Sequence, residues 1–380
     1  MVYDKKVVVI TNSISGLYSF RVELIDTIIK EGYSVAIATP DGERTHYFRS
    51  LGCKIVLAPV NRRGINPLKD ILLLVKYIKI MKDIKPDVVF TYTIKPNVFG
   101  GIACRITGVP YISNITGLGT SIEGKGLLAK ISLLLYKSGL KGASRVFFQN
   151  SSIKDFMTGN NIVKEGKAKI IPGSGVNTDH HNFEKYPEDD GRLRFFFAGR
   201  IMKEKGVFEY LEAAKKIRDR YPYTEFHVAG RAEKKYENIL KPYIENKTVI
   251  YDGVLSKEDM HKLYKQSHAI VIPSYHEGIC NVLLEAASTG RPLLASKVPG
   301  CIETFDEGVS GLGFRVKSVE SLVDTIIKFI NIPYDKKREM GLEGRKKMER
   351  EFNRKVVVDA YMEEVKKILQ FKNKDLKDGE

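Results

Sequence analysis

The chain has 380 residues, and at a prior of roughly 150 residues per domain this points to two domains. Hydrophobic residues make up 43% and charged residues 28%, which supports a sizeable core and excludes a disordered chain or a collagen-like repeat. Lys and Arg outnumber Asp and Glu by 62 to 46, and the resulting net charge of +16 favours an anionic partner.

The excess is uneven. Residues 1–180 carry 25 basic and 13 acidic groups, a net of +12, whereas residues 181–380 carry 37 and 33, a net of +4. Residues 51–150 alone hold 15 basic against 4 acidic groups. The four cysteines, Cys53, Cys104, Cys280 and Cys301, form no C-x-x-C pair, so a reducing cytosol is expected. No window offers the roughly 18 uncharged apolar residues of a spanning helix. The first apolar run, residues 7–10, is too short for a signal peptide and is expected to be a buried strand.

Taken in chain order, short apolar runs alternate with stretches of helical period. Strands are expected at 7–11, 35–39, 54–58, 87–91, 110–114, 145–149 and 169–172. Residues 173–191 break the pattern with Gly, Asn, Asp, His, Glu and Pro and no apolar period, which marks a domain boundary. A second series follows at 193–198, 225–229, 248–251, 268–272, 293–296 and 312–316. Strand-helix alternation means parallel sheets, so the expected fold is α/β, with two doubly wound Rossmann-like domains. The expected domains are 1–175 and 176–353, with a final helix over 354–371 packing back on the first.

Ligands of doubly wound sheets bind beyond the carboxyl ends of strands, and two such loops stand out in the second half. In the first, the strand ends at Ala198-Gly199-Arg200 and a helix follows Lys205-Gly206. Gly199 permits close approach of a ligand, and Arg200 and Lys205 supply two cations suited to a diphosphate. The second runs from Pro273 through Glu277, Gly278, Ile279, Cys280, Asn281 and Val282 to Glu285, with a helix expected to start near Ile279. The amides at its N-terminus form a second anion site. Glu285, expected two turns in among apolar neighbours, needs a hydroxyl or a cation as partner, and ribose hydroxyls suit.

Glu277 and Glu285, with seven residues between them, preceded by Pro273-Ser274 and followed by Ala286-Ala287-Ser288-Thr289-Gly290-Arg291-Pro292, resemble the hallmark of retaining family 4 glycosyltransferases of GT-B fold. The resemblance extends through residues 172–177, 198–206 and 299–311. It implies transfer of a sugar from a nucleotide donor, usually a UDP-sugar, with no cofactor. Arg200 and Lys205 would hold the diphosphate, Glu285 the ribose and Glu277 a donor-sugar hydroxyl. Residues 278–282 would act mainly through their backbone, and the nucleobase would lie near Gly230-Arg231 and Gly253-Val254. No Asp-x-Asp ends a strand, so a metal-independent mechanism is expected.

In the first half, residues 11–17 resemble the family's glycine loop, with Gly16 expected near the donor or acceptor. Arg21 could reach the crevice or form a surface ion pair. Residues 91–97 and 114–120 follow strands, and Asn114 and Thr116 stand where many members carry a donor-contacting His. The runs 114–119 and 277–287 are similar to the branch that acts on polyprenyl-diphosphate-linked sugars in capsule, O-antigen or glycoprotein glycan assembly. Residues 67–83, after Arg62-Arg63, are expected to set Ile71, Leu74, Val75, Ile78 and Met81 against Lys69, Lys76, Lys79 and Asp83, and 126–140 are similar, with Lys130, Lys137 and Lys141. Such segments suit the anionic inner face of a cell membrane, with the protein cytoplasmic and peripherally attached. An enzyme with a soluble acceptor, a nucleotide-sugar epimerase and a non-enzymatic polyanion binder stay as alternatives. A nucleic-acid partner is not expected, since no basic stripe interleaved with aromatics is present.

Overall fold

The computed structural model describes residues 5–58, 60, 66–117 and 126–377. Arg62, Arg63, Leu118, Gly119 and Thr120, named above, lie outside the described residues. The chain divides into two compact units, one of Met1–Ser174 with Lys355–Glu380, the other of Gly175–Arg354.

The first unit holds a parallel sheet of β1 (Lys5–Ile10), β2 (Tyr33–Thr39), β3 (Lys54–Leu57), β4 (Val88–Tyr92), β5 (Tyr111–Ile115), β6 (Arg145–Phe148) and β7 (Ala168–Ile170), in the order β3-β2-β1-β4-β5-β6-β7. Val7 pairs with Val35 on one side and Val88 on the other. Alternation then sends Val7 and Val9 to one core and Val8 and Ile10 to the other. Central β4 and β5 are buried throughout, while edge strands β3 and β7 are not, as expected of a sheet covered on both faces.

The second unit repeats the plan with β8 (Leu193–Ala198), β9 (Thr224–Ala229), β10 (Ile250–Gly253), β11 (Ala269–Ile272), β12 (Leu293–Ser296) and β13 (Gly311–Phe314), ordered β10-β9-β8-β11-β12-β13. Phe195 and Phe197 face one core, Phe196 and Ala198 the other. Every expected strand is present, displaced by at most two residues at an end. In both sheets the strand order reverses beside the first strand, between β1 and β4 and between β8 and β11. Those reversals open the crevice in which doubly wound folds take ligands.

The Arg354–Lys377 helix runs longer than expected and closes the first unit. Val357, Val358, Tyr361, Met362, Val365, Ile368 and Leu369 enter its core. The Tyr361 ring lies 5.1 Å from Phe90 and 4.6 Å from Phe147, and its hydroxyl accepts from Asn114 Nδ2 at 2.9 Å. Asn114 is therefore buried against this helix and tied to it through its side-chain amide. Arg21 is neither at a crevice nor in a surface ion pair. It is buried, its guanidinium 5.3 Å from the Tyr92 ring centroid and 5.9 Å from that of Tyr361, because its position on the Ile14–Lys30 helix faces the sheet.

The Pro67–Ile84 helix starts on an Asn66 cap that accepts from the Lys69 amide at 3.1 Å, and stops where Lys85 turns left-handed. Its packed stripe is Leu73, Tyr77, Ile80 and Met81. Of the apolar side expected here, Met81 is buried, whereas Ile71 and Val75 join Leu68 and Leu72 as an exposed apolar face. The helix is apolar over more than the arc that one sheet can cover.

Residues 176–191 do not hang loose between the units. Tyr186 is buried and donates to His268 O at 2.9 Å, the Glu184 amide donates to Thr289 O at 3.1 Å, and Ser288 Oγ donates to His181 O at 2.6 Å. The stretch lacks apolar period because it is fixed by backbone and ring hydrogen bonds.

Candidate active site

The loops after β8 and β11 flank the reversal of the second sheet, and they are fastened to each other. The Tyr275 amide donates to Glu204 O at 3.0 Å, and the Tyr275 hydroxyl donates to Glu209 at 2.7 Å. Gly206 has φ +71, and a Cβ there would stand 2.0 Å from Pro273 O. Only glycine allows that contact. Gly199 differs, since a Cβ there would meet nothing nearer than Phe197 at 3.7 Å.

Both expected cations rest on carboxylates. Arg200 is 57% exposed and pairs with Glu233 at 3.2 Å, a contact that water screens to little net value. Lys205 Nζ donates to Glu277 Oε1 at 2.5 Å, with the two side chains only 23% and 13% exposed. That pair is the more strongly held of the two.

The helix beyond Glu277 is Asn281–Ser288, two residues later than expected, because Cys280 keeps an extended backbone, with φ -79 and ψ 101, and its amide donates to Gly300 O at 2.8 Å. Cys280 then occupies the cap position without a side-chain capping bond, and its carbonyl receives the amides of Leu283 and Leu284. The Asn281 and Val282 amides belong to the first turn and have no intrahelical acceptor. Gly300, at φ +83, closes so tightly that a Cβ would lie 2.6 Å from both Glu277 O and Gly278 O, and its amide donates to Glu303 Oε2 at 2.6 Å. The turn at Glu277 and Gly278 is thus set from below. Ile279 and Cys280 are buried, so Ile279 anchors the loop by packing.

The late start places Glu285 fifth in the helix rather than two turns in. Its Oε2 accepts from the Tyr264 hydroxyl at 3.0 Å, and its Oε1 lies 3.9 Å from His181 Nε2. Burial raises its pKa, countered by the Tyr264 hydrogen bond and the more distant charges of Arg354 and Lys257. Burial also pushes His181 down to about 3, so the imidazole is neutral and does not neutralise the carboxylate.

Around this pair of loops lie the stretches expected at a nucleobase. The Ile201 amide donates to Arg231 O at 3.0 Å, and the Gly230 amide to Gly253 O at 2.8 Å. The candidates Gly199, Arg200, Lys205, Glu277, Gly278, Ile279, Cys280, Asn281, Val282 and Glu285 all belong to the second unit. Gly16 belongs to the first, in the opening turn of its helix, where its amide donates to Ser13 Oγ at 3.0 Å. Among the described residues no three His, Cys, Asp or Glu side chains gather as a metal-binding set.

Two family models divide the chain: "Glycosyl transferase 4-like" matches residues 6–150 and "Glycosyl transferases group 1" residues 179–347, the latter spanning both loops. The chain belongs to the family 4 glycosyltransferases of GT-B fold. This glycosyltransferase is 27% identical over 329 residues to the N,N'-diacetylbacillosaminyl-diphospho-undecaprenol alpha-1,3-N-acetylgalactosaminyltransferase of Campylobacter jejuni, covering 82% of this chain and 86% of that one. It is 26% identical to the capsular polysaccharide biosynthesis glycosyltransferase CapM of Staphylococcus aureus, over 88% and 90% of the two chains. Among solved structures, that of Anabaena HepE in complex with UDP and glucose superposes with a TM-score of 0.77, over 96% of this chain and 100% of that one, at 15% identity.

Tyr264 and His181 escape the sequence reading of this glycosyltransferase. Tyr264 follows Met260 at helical spacing and reads as core, and His181 sits in a stretch that reads as linker. The one signal was the buried carboxylate of Glu285, which required a partner that the sequence did not identify.

Proposed function

We propose that this glycosyltransferase moves a hexose or N-acetylhexosamine from a UDP-sugar, with retention and without a metal, to a sugar carried on a polyprenyl diphosphate. The observation that carries the reading is the Lys205–Glu277 pair beside the open N-terminus of the Asn281–Ser288 helix at the reversal of the second sheet. The donor diphosphate takes Lys205 and Arg200, together with the amides of Asn281 and Val282. Glu277, released, accepts from a hydroxyl of the donor sugar, while Glu285 accepts from the ribose.

In the transfer, the bond between the anomeric carbon and the β-phosphate oxygen breaks and a bond from the acceptor oxygen forms on the same face. The departing phosphate oxygen takes the acceptor's proton, so no side-chain base is required. Negative charge grows on the diphosphate as it leaves, and fixed cations and amides that need no rearrangement stabilise it. These groups perform the role that a divalent metal has in other transferases.

The acceptor class rests on the names of the relatives, the first of which acts on an undecaprenol-linked diphosphate. The exposed face of the first unit fits a lipid-borne substrate. Leu68, Ile71, Leu72 and Val75 lie exposed beside Lys69, Lys76 and Lys79, and Ile131, Leu134 and Leu135 beside Lys130 and Lys137 on the Leu127–Leu140 helix. Both helices pack on the Gly101–Thr107 helix. Near an anionic membrane each Lys contributes about 1 kcal/mol, which supports peripheral attachment at the cytoplasmic face. Among the described residues no helix is long and apolar enough to cross a membrane. Nucleic acid is not a partner in this reading.

Turnover of a panel of UDP-sugars in EDTA tests the donor and the mechanism. Full activity in EDTA is expected, and a strict metal requirement overturns the metal-free mechanism.

A further inference from the structure

The partners of Glu285 divide its two oxygens between different tasks. Tyr264 comes from the Lys257–Gln266 helix, is fully buried, and donates to Oε2 at 3.0 Å. Oε1 faces His181 at 3.9 Å, beyond hydrogen-bond reach, and His181 Nδ1 has no partner. One oxygen is therefore pinned, while a quarter of the Glu285 side chain stays exposed.

We propose that Tyr264 is a positioning residue of the donor site: its hydroxyl fixes Oε2 of Glu285 so that Oε1 is presented to the ribose hydroxyls of a bound nucleotide. The proposal rests on the reading above that Glu285 takes the ribose. A carboxylate on a free side chain would sample several rotamers, and ordering it on binding would cost affinity. Tyr264 removes that freedom beforehand. It does so as a neutral donor, because burial and the neighbouring carboxylate keep its phenol protonated.

The same hydrogen bond favours the charged form of Glu285, against the burial that disfavours it. The charged groups that also act on Glu285 are Arg354 and Lys257, both at longer range, and His181 is neutral. Removing the Tyr264 hydroxyl therefore raises the Glu285 pKa further, and acidification abolishes ribose binding at a higher pH.

The experiment measures binding of UDP and of 2′,3′-dideoxy-UDP by calorimetry from pH 5 to 8. It compares the wild-type protein with Tyr264→Phe, Glu285→Asp and Glu285→Gln, each checked for folding by its thermal transition. Tyr264→Phe is expected to weaken UDP roughly ten-fold, to change dideoxy-UDP much less, and to move the acidic fall in UDP affinity to higher pH. Glu285→Asp, which keeps the charge but cannot reach both Tyr264 and the ribose, is expected to show the same selective loss and keeps the test open if Tyr264→Phe does not fold. Equal UDP affinity and an unmoved pH profile in Tyr264→Phe overturn the positioning role, even where Glu285→Gln still erases the preference for ribose hydroxyls. Glu285→Gln that retains that preference overturns the ribose reading itself, and the proposal with it.

Discussion

Lys205 Nζ and Glu277 Oε1 stand 2.5 Å apart, joining the loop after β8 to the loop after β11 through two of the groups assigned to the donor. An arriving diphosphate competes with Glu277 for Lys205. Glu277→Gln should therefore bind UDP at least as tightly as the wild type while transferring sugar more slowly, because the hydroxyl contact is weakened. Lys205→Ala should lose both, with turnover reduced about 10²-fold or more. Calorimetry and initial rates on the two variants check this, and a Glu277→Gln protein that loses UDP binding would contradict the competition.

Gly199 and Gly206 separate ligand space from structural space. Gly206→Ala forces a Cβ to 2.0 Å from Pro273 O and requires a strained backbone, so it should destabilise the protein measurably. Gly199→Ala meets nothing closer than 3.7 Å, so its thermal transition should match the wild type while donor affinity falls. Melting curves with UDP titrations distinguish the two. A Gly199→Ala protein with unchanged UDP affinity would remove Gly199 from the site.

The carboxylate of Glu285 costs stability in return for function. Its folded pKa lies above its ordinary value, so the folded state holds the proton more firmly than the unfolded state, and stability falls as pH rises from the ordinary carboxylate range through the raised folded pKa. At neutral pH the full cost is present. Glu285→Gln should melt at a higher temperature than the wild type at pH 7 and lose that advantage in acid, with Tyr264 donating to the amide oxygen instead.

Two buried imidazoles act in the opposite sense. His181 is lowered to about 3 and His268 to about 4, both by burial, so each is neutral when folded and protonates below about 6.5 when unfolded. Stability should rise with pH from about 4 to 6.5, each residue adding at most about 1.4 kcal/mol per pH unit. Urea midpoints at pH 5 and pH 7.5 measure the slope, and His181→Asn should flatten it.

The sheets were legible because parallel strands buried on both faces are written as unbroken apolar runs, such as residues 7–10 and 269–272, closed by turn residues. The candidate loops stood out because a diphosphate needs cations and glycines at strand ends, and Gly199, Arg200, Lys205 and Glu277 occur there together. The helix start at Asn281 was not, since the extended backbone of Cys280 lies in a turn packed against Gly300, 20 positions along the chain. Arg21, on the helix after β1, and Asn114, inside β5, misled for a related reason: a polar side chain near a strand end looks the same whether it meets a ligand or Tyr361. The exposed face of the Pro67–Ile84 helix was blurred because apolar residues on two arcs share one period.

The measurement closest to the central claim is transfer from a labelled UDP-sugar panel to a polyprenyl-diphosphate-linked sugar in anionic vesicles, with EDTA present, for the wild type and Lys205→Ala. The account predicts a lipid-linked product with the anomeric configuration of the donor for at least one UDP-hexose or UDP-N-acetylhexosamine, and its loss in Lys205→Ala. An inverted product, or equal transfer by Lys205→Ala, would contradict it.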